Sequence, residues 1–91
     1  MTPEEIYIER LKPCLEEVEN EILNAKKKYP SDFNSGHEGL AVLEEEFIEL
    51  RDEIFWGLKN WNGLERYHKN HIREEARQVA AMAFRIMVEL T

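Results

Sequence analysis

Two runs of side chains in this chain have the types and spacing to do chemistry together. The first is Glu44-Glu45-Glu46-Phe47-Ile48-Glu49, continued by Asp52 and Glu53, and the second is Glu74-Glu75-Ala76-Arg77-Gln78. Spacings of three, from Glu46 to Glu49 and from Glu75 to Gln78, place each pair on one side of a helix. Counting 100° per residue with Leu43 at zero puts Leu50 at about 340°, Phe47 at about 40°, Glu46 at about 300°, Glu53 at about 280° and Glu49 at about 240°. Those three glutamates border an apolar stripe, whereas Glu45 at about 200° and Asp52 at about 180° fall on the solvent side. With Val79 at zero, Glu75 falls at about 320°, Met82 at about 300° and Gln78 at about 260°, which is a matching edge. Two such helices packed side by side bring Glu46, Glu49, Glu75 and Gln78 together as four oxygen ligands. Carboxylates crowded at a seam repel one another and lose hydration, a cost that a bound cation offsets. Mg²⁺ suits them as a hard ion that takes oxygen ligands and keeps waters and phosphate oxygens in its shell; Mn²⁺ is the natural substitute.

Other groups have a chemical and a plain reading side by side. Phe33 and His37, at a loop and the start of the helix that follows, offer a ring face and a ring nitrogen to a nucleobase, or else pack and cap. Lys59, Arg66, Lys69 and Arg73 gather positive charge where a polyphosphate tail could be met, with Arg73 the residue nearest the second acidic run. Lys26, Lys27 and Lys28 complement the dipole at a helix end. His68 and His71 are three apart, but no Cys or third His lies near them in sequence, so a surface pair is the simpler reading. Trp56 and Trp61 read as core or subunit-interface aromatics, and Cys14 as packing.

The elements that must position these residues are helices. From Glu4 to Tyr29, Ile8, Leu11, Leu15, Val18, Ile22, Ala25 and Tyr29 recur at steps of three and four, with Thr2-Pro3 as cap and first turn. Pro13 interrupts the segment, and because the stripe continues past it a kink is expected rather than a break. Tyr29-Pro30 ends the helix, and Ser31 to Gly36 reads as a loop. A second helix is expected from about His37 to Leu58, capped by Ser35, with Leu40, Leu43, Phe47, Leu50 and Ile54 on one face. Gly57 to Asn70 reads as a connection holding a helical turn around Leu64 to His68. The third helix is expected to start near Asn70 and to turn Ile72, Ala76, Val79, Ala83, Ile86 and Leu90 inward. The expected class is all-α, an antiparallel helical bundle of three to four helices in a single domain over residues 1–91.

Composition sets the remaining bounds. The chain has 91 residues, 12 Lys+Arg against 19 Asp+Glu, a net charge of −7 and a 43% apolar content, enough for one small fold. A chain of this size hides only about 60–65% of its unfolded surface, so completion of the core by self-association is expected. The acidic balance argues against a nucleic acid partner, whose phosphates call for clustered Lys and Arg. No apolar run approaches the ~18 residues of a membrane span, and MTPEEIYIER lacks the features of an export signal, so a cytoplasmic protein without a membrane partner is expected. The single Cys14 agrees with a reducing compartment.

The run Glu45-Glu46-Phe47-Ile48-Glu49 reads as EExxE, and Glu75-Ala76-Arg77-Gln78 follows where a second motif, ExxD, would stand. Together with the flanks HEGLAVLEEE and EEARQVAAMAFR, this resembles the MazG-like family of all-α nucleoside triphosphate pyrophosphohydrolases over roughly residues 25–90. The resemblance implies a Mg²⁺-dependent enzyme that cleaves a nucleoside triphosphate between its α and β phosphates, assembled as a homodimer or homotetramer. It places Glu46, Glu49 and Glu75 on metal-ligand positions and Glu45 on the leading glutamate of the first motif, with Glu45 and Glu46 in the catalytic role. Gln78 departs from the pattern, since a neutral amide offers one carbonyl oxygen and no charge. That departure favours the alternative of a catalytically weak or inactive oligomer of the same fold that binds a nucleotide or a protein partner.

Overall fold

Three helices account for the fold: α1 (Pro3–Lys28), α2 (Gly36–Lys59) and α3 (Glu65–Glu89). The computed structural model describes the backbone of residues 1–59 and 65–91 and the side chains of residues 1–56 and 69–91. The expectations for Lys59, Trp61, Arg66 and His68 fall on side chains outside that set.

Each helix boundary has a local cause. At the start of α1 the Thr2 hydroxyl accepts the Glu5 amide while the Glu5 carboxylate accepts the Thr2 amide, a reciprocal box with Pro3 in the first turn. The helix runs unbroken through Pro13, and its lysines, Lys26 to Lys28, close the last turn. Ser35 starts α2, its side chain accepting the Glu38 amide at 3.2 Å and its carbonyl the Gly39 amide at 3.1 Å. The third helix begins at Glu65, well before Asn70, which lies inside it rather than capping it. Glu, Arg and Lys of this stretch favour helix without contributing to an apolar stripe, so periodicity alone starts the helix too late.

Contacts fix the direction of each helix. Arg73 meets Glu17, Arg77 meets Glu21 and Glu89 meets Lys26, so α1 and α3 run parallel. Gly39 lies against Ile86 and Leu90 while Glu46 and Glu49 lie against Glu75, so α2 runs antiparallel to α3. Among the described residues α3 packs on both neighbours and α1 and α2 do not meet. The order is that of an up-down-up bundle, opened into a layer with α3 in the middle.

The openness is measurable. The radius of gyration is 15.3 Å, where a chain of this length packed into a ball has about 12 Å, and the extents are 42 × 37 × 21 Å. Among the described residues the buried apolar set is Val18, Phe33 and Ala81, with Ala81 of α3 wholly enclosed. Ala76 and Ala83, expected to face inward, are exposed, as are Ile8, Leu11 and Leu15 of the α1 stripe. No described helix is long and apolar enough to cross a membrane.

Candidate metal centre

Antiparallel packing of α2 on α3 brings the two acidic runs together. Glu46, Glu49 and Glu75 each present a carboxylate oxygen, and the three oxygens lie within 4.8 Å of one another. Glu46 and Glu75 are half-buried and Glu49 is exposed, so the cluster opens to solvent on one side. One oxygen of Glu46 and one of Glu75 are shut off from solvent and accept no hydrogen bond. Buried acceptors are costly to leave unsatisfied, and these two belong to carboxylates that face each other.

The electrostatics follow from that crowding. The Glu46 carboxyl is pushed up from 4.5 to about 7, first by burial, then by the charge of Glu49 and a hydrogen bond with it, and then by Glu75 and Glu45. The Glu75 carboxyl is also raised, by burial, by Glu49, and by the charges of Glu74 and Glu53. Near neutrality the cluster therefore holds fewer negative charges than carboxylates, and a proton does part of what a cation would do. Three hard oxygens with two orphaned lone pairs fit a divalent ion that prefers carboxylates.

The remaining predicted residues are distributed as follows. Glu45 is exposed on α2, next in sequence to the cluster, and Gln78 is half-buried on α3 one turn beyond Glu75. Glu53 was legible at the edge of the stripe but outside the ligand set; in the structure its charge reaches Glu75. His37 is exposed in the first turn of α2, about 14 Å along the helix from Glu46 at 1.5 Å per residue. Phe33 is 8% exposed, and the Arg85 guanidinium covers its ring at 4.1 Å from the centroid. Arg73 reaches Glu17 of α1, with its two nitrogens at 2.7 and 3.1 Å from one oxygen, on the side of α3 away from α2. The structure thus gathers Glu46, Glu49 and Glu75 and leaves Phe33, His37 and Arg73 apart from them.

Sequence reasoning missed a second charged node. The Glu89 carboxylate accepts two bonds from Arg85 at 2.7 and 3.1 Å and the Phe33 amide at 2.8 Å, with the Lys26 ammonium 3.5 Å away. Its side chain is only 4% exposed. The bonds from Arg85 hold its carboxyl down to about 2, with the Phe33 amide and the Arg85 and Lys26 charges adding to them against the opposing effect of burial. Lys26 also bonds the Ser31 carbonyl and Asp32. The node ties the α1–α2 loop to the end of α3 and so sets the register that places Glu46 and Glu49 opposite Glu75. The i, i+4 spacing of Arg85 and Glu89 was its one signal in the sequence.

Comparison of the chain with family models, with curated proteins and with solved structures finds no match. The functional reading therefore rests on the residues and their geometry.

Proposed function

We propose that this protein is a MazG-like, Mg²⁺-dependent nucleotide pyrophosphohydrolase that converts a nucleoside triphosphate and water to the nucleoside monophosphate and pyrophosphate. The convergence of Glu46, Glu49 and Glu75 from two helices, with two of their oxygens buried and unsatisfied, carries the reading. Neither orphaned oxygen has a function in a merely structural seam, where apolar residues would be more stable. The EExxE run and its flanks supply the resemblance that selects the substrate class.

Glu46, Glu49 and Glu75 would hold the ion, with the Gln78 amide oxygen as a neutral fourth donor. Bound Mg²⁺ supplies charge stabilisation on phosphate oxygens and lowers the pKa of a coordinated water. Glu46, poised near neutrality, would have to be deprotonated to hold the ion, so binding should strengthen with rising pH. Glu45 stands on the solvent side of the same turn, open to water at the edge of the cluster. The reading includes a cytoplasmic homodimer or homotetramer, because the open layer leaves much apolar surface for another copy.

Gln78 favours a second reading, in which the same fold binds a nucleotide or a protein partner with little or no turnover. Removing one negative ligand weakens the hold on the ion and leaves the reaction short of a carboxylate. Pyrophosphate release from a panel of ribo- and deoxyribonucleoside triphosphates, with Mg²⁺ or Mn²⁺, separates the two. Release by the native chain, abolished by Glu49→Ala, supports the enzyme. Release only by Gln78→Asp supports a disabled metal site, and silence from both rejects the pyrophosphohydrolase reading.

A further inference from the structure

Arg73 stands next to the second acidic run in sequence, yet in the fold it serves α1. There it lines a cavity of about 200 Å³ together with Tyr7, Arg10, Leu11 and Cys14. The parallel register of the two helices explains the meeting. Arg73 pairs with Glu17 and Arg77 with Glu21, at one constant offset along the helices. Arg10, Cys14 and Glu17 recur on α1 at steps of four and three, so they share the side of that helix that meets Arg73.

This cavity is short of negative charge. Arg73 gives both of its bonds, from Nε and Nη2, to a single Glu17 oxygen, and its Nη1 donates to no described residue. The Arg10 guanidinium lies 5.7 Å from the centre of the Tyr7 ring and pairs with no carboxylate among the described residues. The Cys14 thiol donates to the Arg10 carbonyl at 3.7 Å, which holds it in the lining with both guanidinium groups. Arg73 is kept charged above its ordinary range, first by the hydrogen bond to Glu17 and then by the charge of Cys14 beside it. Two guanidinium groups against the one carboxylate of Glu17 leave positive charge unmatched, in a chain whose net charge is −7.

We propose that the cavity between Arg10 and Arg73 is an anion site for the phosphate group of a small phosphate-bearing molecule, on the α1 side of α3 and apart from the carboxylate cluster. Guanidinium forks match phosphate oxygens in planar, paired hydrogen bonds, and two of them on different helices suit a dianion better than a singly charged carboxylate. Tyr7 adds a phenol to the same lining, a group able to donate to a phosphate oxygen. Size limits the body that the phosphate carries. Pockets that enclose a whole drug-sized ligand have about 300–1,000 Å³, and this one is smaller, so it takes a phosphate with a small body and not an entire nucleotide. Inorganic phosphate and a phosphate monoester share that chemistry. No member of the site belongs to the cluster of Glu46, Glu49 and Glu75, so the proposal stands whether or not the chain turns over a nucleotide.

Cys14 is the single cysteine of the chain, so the site can be read in the full-length protein through its thiol, in chelator and without nucleotide. At low salt, and relative to a free small thiol, Cys14 should react about tenfold faster with the anionic disulfide dithiobis-nitrobenzoate than with neutral dithiodipyridine. Millimolar inorganic phosphate or phenyl phosphate should slow both reactions. Arg10→Gln should weaken that protection about tenfold, as one charge-assisted contact is lost, and should leave the melting temperature unchanged because Arg10 holds no ion pair in the fold. Lys12→Gln, whose ammonium pairs with Glu9 outside the lining, should leave the protection as it is. In the native chain phosphate should also shift the Arg73 Nε–H and Cys14 amide resonances and not the Glu49 amide, a readout that needs no variant. Tighter protection by phenyl phosphate would identify the ligand as an ester, and equal protection as the bare oxyanion. Protection by acetate as strong as by phosphate, protection indifferent to Arg10→Gln, resonance shifts that spare Arg73, or no protection at all would each overturn the assignment.

Discussion

Replacing Glu46 by Gln should make the metal-free protein more stable at pH 8, although it removes a charged residue from a packed seam. The Glu46 carboxyl titrates at about 7 in the folded chain against 4.5 as its ordinary value. At about 1.4 kcal/mol per pH unit, that gap corresponds to roughly 3 kcal/mol of destabilisation in the charged form, and screening by solvent at the open side reduces it to about 1–2 kcal/mol. The sign follows from the direction of the shift. A carboxyl raised on folding costs stability in full above its folded value, and the cost fades as pH falls through about 7 toward 4.5. In chelator, the melting temperature of the native protein should therefore rise between pH 8 and pH 5. Glu46→Gln should start about 5–10 °C higher at pH 8 and lose this part of the pH dependence, as about 4–8 °C accompany each kcal/mol in a domain of this size. Thermal unfolding followed by circular dichroism in parallel pH series measures both curves. A Glu46→Gln protein that melts below the native one at pH 8 would refute the account of crowding and burial at this seam.

Saturating Mg²⁺ should stabilise the native protein at pH 8, by about 2.7 kcal/mol at a hundred times its dissociation constant, and Glu49→Ala should remove most of that gain in the same melts. Glu89→Ala should cost about 3 kcal/mol in urea titrations, because it strands the Arg85 guanidinium and the Phe33 amide in a nearly closed site. The Glu89 contribution has the opposite pH dependence from that of Glu46: with its carboxyl held to about 2, it is complete above 4.5 and lost as pH falls toward 2, so acid unfolding of Glu89→Gln should begin with less to lose. At Gly39 an added Cβ would lie 3.0 Å from Leu90 Cδ1 and 3.2 Å from Ile86 Cγ1, so Gly39→Val should force α2 off α3 and cost about 1–3 kcal/mol, read as a lower urea midpoint. Pro13→Ala, at an exposed position inside α1, restores a helical amide and should raise the melting temperature, with a gain of up to about 3 kcal/mol.

Much of this architecture was written in short-range signals. Thr2-Pro3, Tyr29-Pro30 and Ser35 act within one helical turn, and the bounds of α1 and α2 follow from them to within a residue or two. Convergence of Glu46, Glu49 and Glu75 was legible for a related reason: i, i+3 pairs at the edges of two apolar stripes meet when the stripes do. The inward set was harder to read. A stripe shows that a face avoids water without showing what covers it, so Ala76 and Ala83 read as core although they stand exposed on α3. The Glu89 node was hidden because it depends on where the Ser31–Ser35 loop passes the end of α3, a relation between residues 33 and 89 that no local pattern encodes. Phe33 and His37 looked like a recognition pair by proximity in sequence, whereas the fold encloses the first under Arg85 and leaves the second in solvent.

That α1 and α2 do not meet among the described residues has a consequence for the order in which the chain acquires structure. Among the described residues α1 and α2 have nothing to hold each other with as they leave the ribosome, and the contacts between helices all pass through α3, which is made after both. Until residue 89 has been synthesised the Phe33 amide lacks its carboxylate partner and the α1–α2 loop is held only by local bonds such as those of Lys26 to Ser31 and Asp32, so the nascent chain emerges as two amphipathic helices with their apolar rows bare. A fragment ending at residue 59 should behave as a pair of fraying, sticky helices rather than as half a protein. Chaperone dependence during synthesis, more than stability once complete, is where substitutions in α3 should first be felt.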